Sequence, residues 1–120
     1  MIETFDQILS DRGSKYAVSG CACRSKVEAL EALKQLKRKK KFAKATHNSW
    51  AMISSDEGPI KNDDGEAGAG MIIVRMLERE GISDHLVIVT RWFGGVHLGG
   101  DRFRRIQDCV RFYFDNRSKP

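Results

Sequence analysis

Two stretches of this chain carry residue types that could do chemistry. In the first, "KATHNSW" (residues 44–50) is followed by "NDDGEAGAG" (residues 62–70). His47 and the carboxylates Asp63, Asp64 and Glu66 could together bind a metal ion or divide acid and base roles. The spacing lacks the longer acid ladder and terminal Glu of an EF-hand loop, and no His-Glu-x-x-His occurs. The competing reading is a tight acidic turn whose carboxylates cap helix N–H groups or pair with Arg91. It is the better supported of the two. No resident metal or cofactor is expected.

The second stretch is "RWFGGVHLGGDRFRR", Arg91 to Arg105, with Gly94, Gly95, Gly99 and Gly100 between an apolar run and a helical pattern. Glycines at a strand-to-helix junction let backbone N–H groups approach an anion, and the helix N-terminus adds partial positive charge. Arg91, Arg102 and Arg105 could add charge-assisted hydrogen bonds. No Gly-Lys-Ser/Thr follows, and the spacing is not Gly-x-Gly-x-x-Gly, so nucleotide-binding loops of either kind are excluded. The plainer reading is a turn that needs positive φ at one or more of these glycines. No nucleophile with an adjacent base is visible, and Cys109 sits near an apolar helical stripe. An enzyme at the His47, Asp64, Glu66 and Arg91 cleft is therefore the weakest functional reading.

The elements that position these stretches follow from periodicity. "SKYAVSGCAC" (residues 14–23) is small and partly alternating, which predicts a strand or short hairpin. Ser25 and Glu28 form a capping-box pattern opening a helix to about Lys40, with Val27, Leu30, Leu33 and Leu36 on one face. "NSWAMIS" alternates as a strand, and residues 55–70 read as turn throughout. Ile72, Ile73, Met76 and Leu77 mark a helix stopped by Gly81. "HLVIVTRW" is a near-continuous apolar run, expected of a central strand buried on both faces. A last helix runs from Asp101, its expected N-cap, to about Asn116, with Phe103, Ile106, Val110 and Tyr113 inward. This order predicts an α+β fold, a two-layer mixed sheet with helices on one face.

Composition bounds the rest. The chain has 120 residues, of which 41% are hydrophobic and 31% charged, the balance of a globular protein. No apolar run reaches membrane-span length, and "MIETFDQILSDRGSK" carries no secretion signal, so a cytoplasmic location and no membrane partner are expected. Cys21, Cys23 and Cys109 are too few and too closely spaced for a disulfide framework or zinc site, and read as buried free thiols. Formal net charge is +5. The cations cluster at Lys37 to Lys41 and again at Arg102, Arg104, Arg105 and Arg111. Such asymmetry suits a polyanion, and Lys37, Lys39, Lys40, Lys41, Arg104 and Arg105 are the candidate RNA contacts. With only Phe42 beside the lysine run, phosphate contacts without base reading are expected.

The order of the pieces is more specific than any one of them. "ATHNSWAM", then "DDGEAGAG", then "VIVTRWFGGVHLGGDRFRRIQDC" together resemble the IMPACT family, which includes the bacterial YigZ-type proteins. The resemblance runs from about Asp11 to Arg117 and is nearer the eukaryotic branch, although Gly100 stands where that branch usually has proline. It implies a fold like domain 2 of ribosomal protein S5. It also implies regulation of translation in the amino-acid-starvation stress response, through a protein or ribosome partner rather than catalysis. Eukaryotic members modulate a starvation-responsive kinase by competing for its ribosome-associated co-activator. The motif residues it singles out as a binding cleft are His47, Asn48, Asp63, Asp64, Gly65, Glu66, Arg91, Gly94, Gly95, Gly99 and Arg102. Residues 1–120 are expected to form a single domain. Neither the RWD domain of eukaryotic members nor the ferredoxin-like second domain of bacterial ones is expected here.

Overall fold

The computed structural model describes residues 1–118. The elements run β1 (Glu3–Asp11), β2 (Ser14–Ala22), α1 (Lys26–Leu36), α2 (Lys40–Ala43), β3 (His47–Ser54), β4 (Gly58–Asn62), α3 (Ala69–Glu80), β5 (His85–Trp92) and α4 (Asp101–Asn116). The sheet has five strands in the order β1-β2-β5-β3-β4, so β5 lies at its centre. Its apolar run is explained by that place. Leu86 and Ile88 pack on one face with Ala17, Trp50 and Met52, while Val87 and Val89 pack on the other with Tyr16, Val18 and Ala51. Each fully buried side chain of this size contributes about 1.5–3 kcal/mol.

The α+β class stands, with two refinements. Every strand pairing is antiparallel rather than mixed. The long helices α3 and α4 do share one face, through Ile73, Leu77, Ile106, Val110 and Tyr113. The other face is also covered, by α1 and Phe42 of α2. A strand buried on both faces requires this, because uncovered Leu86 and Ile88 would face water.

One strand was not foreseen, and three local expectations are corrected. Residues 3–11 form a strand, joined to β2 by a two-residue turn in which Arg12 and Gly13 both have positive φ, 46° and 87°. That is the turn geometry whose twist matches a hairpin. The alternation of β1 is hidden by a register shift between Phe5 and Leu9, where Gln7 adopts φ 47°. Gly58–Asn62 is a short edge strand rather than turn; Pro59 is tolerated because an edge leaves its missing N–H unneeded. α1 stops at Leu36, and α2 starts afresh at Lys40. In a straight helix Phe42 would sit about 120° from Leu36; the break lets Phe42 bury and meet the Trp92 ring edge-on at 5.3 Å. Finally, the buried stripe of α1 is Ala29, Ala32, Leu33 and Leu36, and Val27 and Leu30 are exposed.

The expected caps are mostly present. Ser25 accepts from the Glu28 amide at 3.2 Å, and the Glu28 carboxylate reaches back to the Arg24 amide at 2.7 Å. Gly81 ends α3 with φ 64°, as the αL stop requires. Asp101, however, is not the N-cap of α4. Gly100 holds that position, and the Asp101 carboxylate pairs instead with Arg12 at 2.6 Å.

Candidate functional site

The motif residues meet at the end of β5. Arg91 lies opposite Tyr16 of β2 and His47 of β3, and residues directly opposite share a face of the sheet. That face is the one covered by α3 and α4. The loop from β4 to α3 brings Glu66 onto it. Arg91 Nη1 donates to Glu66 Oε2 at 2.9 Å, with both residues buried. His47 Nε2 stands 3.9 Å from the same oxygen, beyond hydrogen-bond distance. His47 Nδ1 is 2.8 Å from the Asp64 carbonyl, which can only accept, so Nδ1 carries a proton. The Arg91 guanidinium lies over the Tyr16 ring at 5.9 Å. Burial pushes the Tyr16 phenol up to about 12, with the Arg91 charge opposing.

The rest of the acidic turn is bonded inward as well. Asp64 Oδ2 accepts from the Asn48 amide at 2.6 Å. Asp63 accepts from the amides of Gly68 at 3.0 Å and Gly70 at 2.7 Å, serving the first turn of α3, whose N-cap Gly68 has no side chain to do so. Burial works to raise the Asp63 pKa, but these two amides together leave it below the ordinary carboxylate value. Asn48 donates to the Phe42 carbonyl at 3.2 Å and accepts from Thr90 Oγ1 at 2.7 Å, tying α2 to β5. Gly65 turns at φ 86°, and a Cβ there would stand 3.1 Å from the His47 ring.

The glycine loop divides into two kinds. Gly95 and Gly99 have positive φ, 93° and 58°. Gly94 does not; it is glycine because its Cα packs onto the Gly13–Ser14 backbone, where a Cβ would overlap Gly13. Ser14 Oγ accepts long bonds from Arg91 Nε (3.4 Å), Arg91 Nη2 (3.3 Å) and the Gly94 amide (3.3 Å), so one hydroxyl links the hairpin, the ion pair and the loop. His47, Asn48, Asp63, Asp64, Gly65, Glu66 and Arg91 are thus brought together, and Gly94 joins them through Ser14. Arg102 is placed apart, stacked on Phe103 at 4.7 Å.

The basic candidates fall at this same end of the sheet but on opposite faces. Lys37, Lys39, Lys40 and Lys41 lie between and in α1 and α2, and Arg104 and Arg105 lie on α4. Lys41 pairs with Asp6 at 2.6 Å, and Arg105 with Asp108 at 3.4 Å. One surface shared by both groups has to cross the strand end, over Lys15, Trp92 and Phe93. Sequence reading missed Ser14, Lys15, Tyr16 and Thr90, which carry no local signal and matter only through cross-strand register. Cys21, Cys23 and Cys109 are free and buried. Burial raises their thiols, Cys23 to about 11, which disfavours the thiolate.

The fold defines the class of protein first. A solved structure titled as a hypothetical protein superposes with a TM-score of 0.83, covering 96% of this chain and 57% of that one at 19% identity, a likeness of fold. Residues 12–114 match the Impact N-terminal domain, and the chain belongs to that family. The IMPACT homolog of Caenorhabditis elegans is 36% identical over 112 residues, which are 88% of this chain and 44% of the relative. The homolog of Schizosaccharomyces pombe is 38% identical over 107 residues, covering 86% of this chain and 38% of the relative. The structure of the two-domain translational regulator Yih1 matches with a TM-score of 0.52 at 33% identity, covering 85% of this chain and 42% of that one. The chain therefore spans less than half the length of these named relatives. No helix among the described residues is long and apolar enough to cross a membrane.

Proposed function

We propose that this chain is a docking module of translation control, which binds a protein or the ribosome in the cytosol and catalyses no reaction there. The observation that supports it most is the inward bonding of the motif residues. Arg91, Glu66, Asp63, Asp64 and Asn48 each bond to another part of the chain, so their chemistry goes into holding the hairpin, the acidic turn and the glycine loop in one arrangement. What such a frame presents to a partner is its rim: the glycine loop, the basic α2 and the start of α4. Kinship with a translational regulator supports a partner from the translation machinery. In starvation signalling the module would contribute ribosome proximity.

The test is sedimentation with purified ribosomes across a salt series, together with addition of the chain to a cell-free translation extract. The expected result is salt-sensitive co-sedimentation and a dose-dependent change in translation. A chain that stays in the supernatant at low salt and leaves translation unchanged overturns the reading.

A further inference from the structure

The strand end holds a cleft that no single stretch of sequence reveals. A cavity of about 400 Å³ is lined by Gln7, Gly13, Lys15, Lys41, Trp92 and Phe93. Its size lies within the range of small-ligand sites. Lys15 and Trp92 are directly paired across β2 and β5, so their side chains are neighbours on one face. The Lys41 ammonium stands 5.2 Å above the Trp92 ring. Trp92 is fixed edgewise by its Nε1 donating to the Lys41 carbonyl at 2.9 Å. Phe93 follows, 42% exposed, with Arg91 at 5.8 Å from its ring and His97 at 5.1 Å. The cleft therefore combines two aromatic rings with two lysines, one of them on the basic α2.

We infer that this cleft binds single-stranded RNA, a base stacking on Phe93 beside Trp92 and the flanking phosphates meeting Lys15 and Lys41. The pairing of flat apolar surface with cations is what a polynucleotide requires and what a simple anion does not: stacking needs the ring, and the lysines need the phosphate. A duplex hides its bases and offers nothing to the ring. Lys41 is already paired with Asp6, but with 44% and 41% of the two side chains exposed the pair is worth little, and a phosphate replaces Asp6 at small cost. Phosphate contact alone was expected because Phe42 is the only aromatic near the lysine run in sequence. The fold instead supplies Trp92 and Phe93 from β5. The choice of RNA rests on the translation-control reading; the aromatic and cationic surface does not.

The test is fluorescence anisotropy with a labelled single-stranded oligouridylate, a labelled RNA duplex of equal length and a polyglutamate peptide. The single strand should bind and the duplex should bind much more weakly. Phe93→Ala should weaken the single strand about tenfold with its salt slope kept, and Phe93→Trp should restore binding. Lys15→Ala with Lys41→Ala should flatten the slope of log affinity against log salt by about 1.4, from about 0.7 per phosphate. Lys26→Ala with Lys34→Ala, which removes the same charge from α1, should leave the slope unchanged. Phe93 is exposed, and a thermal melt of its variant should match the parent. Equal binding of the duplex, an unaffected Phe93→Ala, or binding of the peptide alone overturns the inference. Ribosome sedimentation of Phe93→Ala separates the two readings. Sedimentation without oligouridylate binding defeats the cleft and keeps the docking module; the reverse defeats the module and keeps the cleft.

Discussion

The two ends of β5 bury ionisable groups in opposite ways. At the Arg91 end the charges are kept and paired: Arg91 with Glu66 at 2.9 Å, with His47 beside them. At the other end His85 is kept neutral. It shares a 2.6 Å hydrogen bond with Tyr113, and burial, with some repulsion from Arg117 against attraction from Glu3, lowers its pKa to about 4. The second end borders a cavity of about 460 Å³ lined by residues including Ile2, Gly20, Cys21 and His85. The contrast shows what each solution asks of the chain. A paired charge needs several segments held in register, and hence the glycine loop and acidic turn. A neutral imidazole needs one hydroxyl and a gap, which Gly20 provides because a Cβ there would overlap the Tyr113 hydroxyl.

The sharpest way to break this contrast is to remove one partner of the ion pair. Arg91→Ala or Glu66→Ala leaves a buried charge uncompensated and should lower stability by roughly 3–5 kcal/mol in urea unfolding. Replacing both, as Arg91→Met with Glu66→Leu, should cost clearly less than the sum of the singles. A strictly additive double variant would show that the two residues act separately.

Gly94→Ala comes next, because its Cβ must push the Gly13 backbone away. A loss of about 1–3 kcal/mol is expected, against almost none for Gly100→Ala, where φ is −67° and no atom outside the adjoining backbone lies within 4 Å of the added Cβ. Thermal melts of the pair would compare them directly, and equal melting points would remove close packing as the reason for Gly94.

At the His85 end the effect should appear as pH dependence. The unfolded histidine takes a proton near 6.5 and the folded one only near 4, so the unfolded state binds the proton first as pH falls. This stability contribution is complete above 6.5 and is lost on descent toward 4. His85→Gln should flatten the stability profile across that window. Asp63 is lowered from 3.8, so its own loss falls below that value and is separable. If the parent's stability is level between these two pH values, the neutral-imidazole account fails.

Two smaller effects sharpen the Arg91 end. Asp63→Ala removes the acceptor for the first amides of α3 and should cost about 1 kcal/mol. Arg104→Ala, on the exposed side of α4, should change stability by no more than about 0.5 kcal/mol. Both are measurable by chemical denaturation. A large loss from Arg104→Ala would mean that its charge is structural rather than available to a partner.

Local chemistry made much of this protein legible before any fold was known. The central strand, the capping pattern at Ser25 and Glu28, the αL stop at Gly81 and the extent of α4 are each set within a few residues by periodicity, capping or backbone freedom. So was the need for positive φ in the glycine loop, met at Gly95 and Gly99. The motif order pointed to the family. β1 and β4 escaped notice because edge strands are half-exposed and are interrupted here by a register shift and a proline. The apolar face of α1 was misread because spacing alone cannot tell which of two adjacent stripes meets the sheet. Tertiary structure alone decided which carboxylate of the acidic turn meets Arg91, that Ser14 joins the pair, and that Lys15, Lys41, Trp92 and Phe93 border one cleft. Each of these contacts joins residues far apart in the chain, 25 positions for Arg91 and Glu66 and 77 for Arg91 and Ser14. Register across an antiparallel sheet sets such distances, and no local propensity encodes them.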